Sequence, residues 1–186
     1  LNPGFLNFFF SPSGLSDILT SILKEGKDYG QSEAGQYEKV QIEFVSANPT
    51  GPLSVAHARQ AAVGDALGNI MNRVGYDVTK EFYVNDEGNQ INILGRSLLF
   101  RAKEILGETV TFPEEGYQGD YIKEMAQDFL KKNKISSSAQ LDEEKLAAYG
   151  AIYLLEVIKK ELQDFGVVFD IWSHQSQIAT TQNIEA

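Results

Sequence analysis

The sequence contains no cysteine, two histidines, two methionines and five prolines in 186 residues. Without cysteine there are no disulfides and no thiolate metal sites, a composition that fits a cytoplasmic protein. His57 and His174 alone argue against a histidine-built metal centre, so no protein-bound metal is expected. Also missing is any apolar run near the ~20 residues of a membrane helix; Phe8–Phe10 and Ala151–Leu155 are far too short, and no membrane association is expected. No basic-then-apolar leader with a small-residue cleavage site opens the chain, so secretion has no support. Basic residues are scarce: 16 Lys and Arg face 26 Asp and Glu, a net charge of −10. Such a balance makes a poor stand-alone nucleic-acid binder, because phosphate neutralisation drives that binding. The acids read instead as a solvated, solubilising surface.

What is present is a chain able to fold. A 42% hydrophobic and 11% aromatic composition argues against disorder. The length suits one domain with room for an inserted subdomain. No internal repeat or low-complexity segment is visible. Residues 1 to about 36 read as a tail or linker, broken by Gly4, Pro12, Gly14, Gly26, Gly30 and Gly35, with a short helix possible at Leu15–Leu23. From residue 37 a βαβ unit reaches about 87. Lys39–Val45 predicts a strand, with Val40, Ile42, Phe44 and Val45 suited to a sheet buried on both faces. A helix from Val55 to about Val74 carries Ala62, Val63, Ala66, Leu67, Ile70, Met71 and Val74 as one apolar stripe, with Gly75 closing it. Val78–Val84 is the second strand. A mostly helical interval, about 88–165, holds helices to about Leu106, over Tyr117–Lys132 and over Asp142–Phe165. Phe169–Trp172 is the returning strand, within about 167–173. The fold class is α/β, a Rossmann-type parallel sheet.

The most informative segment is Val45-Ser-Ala-Asn-Pro-Thr-Gly-Pro-Leu-Ser-Val-Ala-His-Ala-Arg59. A strand that turns through a Gly/Pro loop into a helix start points unpaired amides and the helix dipole at an anion. His57 in the first turn adds a directed donor to phosphate. The physical reading is a nucleotide site at the carboxyl end of a parallel strand. Ser54 is either a phosphate donor or simply the helix N-cap, and both can hold. Arg59 reads as salt-bridged or solvated. Pro49, Gly51 and Pro52 shape the loop, and Ser46 and Asn48 also suit a turn. Asn85, Asp86 and Gln90 lie where ligands of open α/β sheets collect, or cap the following helix, the cap being favoured. Trp172 and His174 read as structural, or at most near the site.

Ser54-Val-Ala-His57 resembles the His-Ile-Gly-His signature of class I aminoacyl-tRNA synthetases, in the form used by arginyl-tRNA synthetases. Gly4-Phe-Leu-Asn-Phe-Phe, Phe82-Tyr-Val-Asn-Asp-Glu-Gly-Asn-Gln90 and Gly166-Val-Val-Phe-Asp-Ile-Trp172 extend the resemblance over essentially the whole chain. It departs at Ser54, where the family has histidine, and at Ala56, where it has glycine. The resemblance implies a truncated, HUP-like nucleotide-binding core over 37–186 with a helical connective insertion, preceded by a linker from an absent N-terminal domain. It implies ATP-dependent activation of L-arginine to the adenylate and transfer to tRNA(Arg), with Mg2+ carried by ATP. Pro52, Leu53, Ser54, Ala56 and His57 would contact ATP, with His57 and Ser54 stabilising the transition state. Glu43, Ser46 and Asn48 would bind arginine, a carboxylate being the strongest planar acceptor for guanidinium. The chain begins at Leu1 and stops at Asn183–Ala186, and neither Met71 nor Met125 sits in a Lys-Met-Ser-Lys-Ser-type loop. The expectation is therefore part of a catalytic domain, inert alone, with most tRNA contacts elsewhere. The alternatives are a non-catalytic synthetase-like nucleotide-binding module and, less in keeping with Glu43 and Asn48, another nucleotidyl-transferring enzyme on the same fold.

Overall fold

A computed structural model describes residue 4 and residues 6–180; Leu1, Phe5 of the Gly4–Phe9 motif and the Asn183–Ala186 end lie outside the described residues. The elements run α1 (Pro12–Glu25), β1 (Lys39–Glu43), α2 (Val55–Arg73), β2 (Asp77–Val84), α3 (Asn89–Ile105), α4 (Asp120–Lys132), α5 (Glu143–Asp164), β3 (Ile171–His174) and α6 (Gln175–Ile178). α1 is longer than the expected Leu15–Leu23 because Ser11 caps it, accepting from the Gly14 amide at 3.1 Å, and Pro12 follows in the first turn. No helix among the described residues is long and apolar enough to cross a membrane.

The three strands are parallel in the order β1–β2–β3. Their register is staggered: Lys39–Glu43 pair with Asp77–Glu81, whereas Ile171–His174 pair with Glu81–Val84. Two expectations for β1 fail. It ends at Glu43, because Val45 and Ser46 have φ of 66° and 41° and leave the extended region. It is also not buried on both faces, since Lys39, Gln41 and Glu43 are exposed and Val40 and Ile42 half-buried. The returning strand likewise starts at Ile171, with Phe169 packed in the core just before it.

α2 corrects the sequence expectation most sharply. Val63 and Ile70 are 63% and 62% exposed, so the predicted apolar stripe faces outward. The face laid on the sheet consists of Ala61, Gly64 and Gly68. A Cβ on Gly64 would fall 2.2 Å from the Phe44 ring, and one on Gly68 2.7 Å from the Lys80 stem. Small residues let the helix sit on bulky sheet side chains, and hydrophobic counting cannot see that. Lys80 then runs beneath α2 to pair with Asp65 at 2.6 Å and to donate to Asn69. Gly75, with φ of 92°, closes the helix as expected.

Two large apolar clusters form most of the core, beside a small one of Ile91, Ala147 and Ala151. One joins α3, α4 and α5 through Leu94, Leu98, Ile122, Met125, Leu146 and Leu154. The other joins the sheet to α5 through Phe82, Val84, Leu155, Ile158, Leu162 and Phe169. Trp172 stacks on Phe82 with ring centres 4.5 Å apart, which makes it structural. Each fully buried Leu or Ile contributes about 1.5–3 kcal/mol, so α5, which feeds both clusters, is the central support.

The C-terminal ends of β2 and β3 are locked by Asp86. It accepts from the Ser176 amide and hydroxyl at 2.9 Å each and lies 2.8 Å from His174 Nδ1. The expected helix cap does not form there: α3 starts behind Gly88 with no side-chain cap, because Asp86 is committed to the α6 start instead. Burial works to raise the Asp86 carboxyl, but the hydrogen bonds from Ser176 and His174 outweigh it and hold it below its ordinary value. A depressed carboxyl contributes stability that is complete above the ordinary aspartate pKa and is lost as pH falls through the folded value. Asp86→Asn therefore lowers Tm at neutral pH, and its gap to the wild type narrows as pH falls below the ordinary aspartate range; a gap independent of pH in calorimetry would refute the lock. Gly64→Val forces Phe44 aside and costs about 1–3 kcal/mol in denaturant unfolding.

Candidate functional site

The chain leaves β1 through a turn that few residues tolerate. Val45 is β-branched and sits at positive φ, followed by Ser46, also at positive φ. Such strain is held only where surrounding contacts fix it, and it gathers at functional sites. Here the fixing contact is the Ser46 hydroxyl. It accepts the Tyr83 amide of β2 at 3.1 Å, a group that a longer β1 would pair, and donates to Glu43 Oε1 at 2.8 Å. Glu43, Ser46 and β2 are thereby joined, and the exposed Glu43 carboxylate is oriented.

Beyond this turn the loop runs through buried Ala47 and Pro49 to Ser54, the N-cap of α2. Asn48 Nδ2 donates to Gln90 Oε1 at 2.6 Å, and the Tyr121 hydroxyl donates to the Thr50 carbonyl at 2.9 Å. The Ser54 amide donates to His57 Nδ1 at 3.0 Å, and the Ser54 hydroxyl lies 3.2 Å from the same nitrogen. An Nδ1 that accepts carries no proton, so the ring proton resides on Nε2. His57 is thus set as a one-directional donor in the first turn of α2, at the positive end of the helix dipole, an arrangement suited to phosphate oxygens. Asn48, Pro52, His57, Gln90, Tyr117 and Tyr121 line one cavity of about 300 Å³.

The other expected site residues do not line that cavity. Glu43 lines a separate groove with Arg59, Phe44 and Val63. Leu53 and Ser54 line a third, against Glu161, Leu162 and Phe165 of α5. Ala56 is exposed and lines none of the three. Ser54 holds the N-cap position, one of its two expected readings. Tyr117 and Tyr121 were not singled out from the sequence. The only local trace is their place in Gly116-Tyr-Gln-Gly-Asp-Tyr121, a glycine-broken run before α4. Burial, and then the neighbouring Tyr117, raises the Tyr121 phenol above its ordinary value.

A family model for the catalytic domain of class I (R) tRNA synthetases matches residues 18–174. The arginine–tRNA ligase of Citrifermentans bemidjiense is 47% identical over 178 residues, covering 94% of this chain and 32% of that protein. The arginine–tRNA ligase of Geobacillus kaustophilus is 44% identical over 186 residues, covering 98% and 33%. A solved Campylobacter jejuni structure, assigned provisionally as an arginyl-tRNA synthetase, superposes with a TM-score of 0.79 at 35% identity, covering 90% of this chain and 37% of that one. The chain spans about a third of the length of the curated relatives it matches.

Ser46→Ala strands the Tyr83 amide and releases Glu43. The expected loss is about 1–2 kcal/mol of unfolding free energy in a denaturant titration; a loss near zero would show that the hydroxyl is dispensable to the turn.

Proposed function

Because the chain belongs to the family of class I (R) tRNA synthetase catalytic domains, we propose that it supplies the phosphate cradle and part of the amino-acid pocket of an arginine–tRNA ligase. The reaction is proposed of the whole protein, of which this chain resembles about a third. In it an α-carboxylate oxygen of L-arginine attacks the α-phosphorus of ATP. Pyrophosphate leaves with the β- and γ-phosphates, and the tRNA(Arg) terminal hydroxyl then displaces AMP from the adenylate. Mg2+ arrives with ATP as part of the substrate. The work belongs in the cytoplasm, where tRNA is charged. We read residues 1–36 as the link to a preceding domain, residues 37–186 as catalytic-domain sequence, and the helices over about 88–165 as its connective insertion.

The observation that carries this reading is the hydrogen bond from the Ser54 amide to His57 Nδ1. It leaves Nε2–H as a donor whose bond strengthens as charge builds on the phosphate oxygens. In this reading Pro52, Leu53, Ser54 and Ala56 form the remaining contacts to ATP, and the Ser54 hydroxyl assists where the family has histidine. Glu43 takes the guanidinium, with Ser46 fixing its carboxylate and Asn48 contacting the substrate's amino or carboxylate end. No covalent intermediate on the enzyme is required, because positioning and electrostatic stabilisation carry the rate.

The test is arginine- and tRNA-dependent ATP–pyrophosphate exchange by the full-length protein. His57→Ala should lower kcat by about 10²–10³-fold, and Glu43→Gln should raise KM for arginine roughly thirtyfold at similar KM for ATP. Equal rates for wild type and His57→Ala would remove His57 from the mechanism. Exchange with another amino acid but not arginine would refute the specificity, and no exchange at all would favour a non-catalytic nucleotide-binding module.

A further inference from the structure

One wall of the cleft beside His57 comes from a distant part of the chain. Tyr117 and Tyr121, at and just before the start of α4, line it opposite residues of the β1–α2 loop. The Tyr121 hydroxyl donates to the Thr50 carbonyl at 2.9 Å, and the Thr50 amide in turn bonds the Asn48 carbonyl at 2.8 Å. Asn48 is itself held by Gln90 of α3. The loop that delivers the chain from β1 to the His57 turn is therefore pinned at two adjacent points, by α3 and by α4. The Tyr121 ring is fixed as well: it packs on the helical core, and a Cβ on Gly119 would fall 2.5 Å from it. A phenol is protonated across the neutral range, and burial raises this one further, so it remains a donor there. Packing alone would be served by phenylalanine. The hydroxyl adds a directed bond to a main-chain carbonyl of the loop, three residues after Ala47 and four before Ser54.

We propose that Tyr121 is a positioning residue for adenylate formation, acting through Thr50 to hold the 47–53 loop and, with it, the His57 turn against the reacting phosphates. This rests on the arginine-activation reading above. Tyr121 performs no chemistry of its own. It keeps the loop from drifting, because misplacing a reactant by about 1 Å can lower a rate by up to ~10²-fold.

The experiment compares wild-type and Tyr121→Phe full-length protein by two measurements. In arginine- and tRNA-dependent ATP–pyrophosphate exchange, Tyr121→Phe should lower kcat about five- to tenfold, with cooperative unfolding retained and KM for tRNA unchanged. In amide hydrogen exchange, the 47–53 segment should lose protection while α5 keeps it. Unchanged protection of the loop overturns the proposal, as does faster loop exchange with wild-type kcat, which would make the bond a purely structural tether. A wild type with no arginine-dependent exchange overturns the arginine-activation reading and this proposal together. An active wild type matched by an equally active variant overturns this proposal alone.

Discussion

The Ser46 hydroxyl stands where two requirements of the fold meet. The β2 backbone presents the Tyr83 amide on the side where β1 has already ended, and an unpaired amide at a half-buried sheet position costs about as much as a lost hydrogen bond. Ser46 reaches it through a turn at positive φ at Val45 and Ser46. That turn ends β1, aims Glu43 and sends the loop back toward the start of α2. The strain is thus stored beside Glu43, the carboxylate proposed to take the guanidinium, and the sheet holds it in place.

The sequence made some features readable because their causes are local. The extent of α5 was close to its observed limits since Asp142 caps it, accepting from the Lys145 amide, and its apolar periodicity is unbroken. The place of His57 in the first turn of α2 was legible because a loop shaped by Pro49, Gly51 and Pro52 and the following helix start lie within a dozen residues. The end of β1 was not. Val45 and Ser46 carry no glycine or asparagine signal, and the turn is imposed by Tyr83, 37 residues away from Ser46. α2 misled for a different reason: its contact face is chosen by what fits over Phe44 and Lys80, so glycine and alanine win over valine and isoleucine. Asp86 looked like a cap for α3 and served α6 instead, because its partners at Ser176 lie 90 residues on.

The cleft draws on the two larger clusters of the core. Its loop side, through Ala47, belongs with the sheet cluster, and its tyrosine side belongs with the helical one. The shape of the cavity therefore depends on how the helical layer rests on the sheet as well as on the signature segment itself. A residue far from His57 in sequence, on either layer, can alter its geometry without touching a ligand.

The continuity of α5 has one more implication. Leu154 and Leu155 are successive residues of the same helix, yet the first belongs to the helical cluster and the second to the sheet cluster. A helix cannot melt on one side only, because its backbone bonds are shared by both faces. Loosening either cluster at this level therefore withdraws a side chain from the other. The two layers should lose order in a single cooperative step, with no half-folded species that keeps one layer and sheds its neighbour.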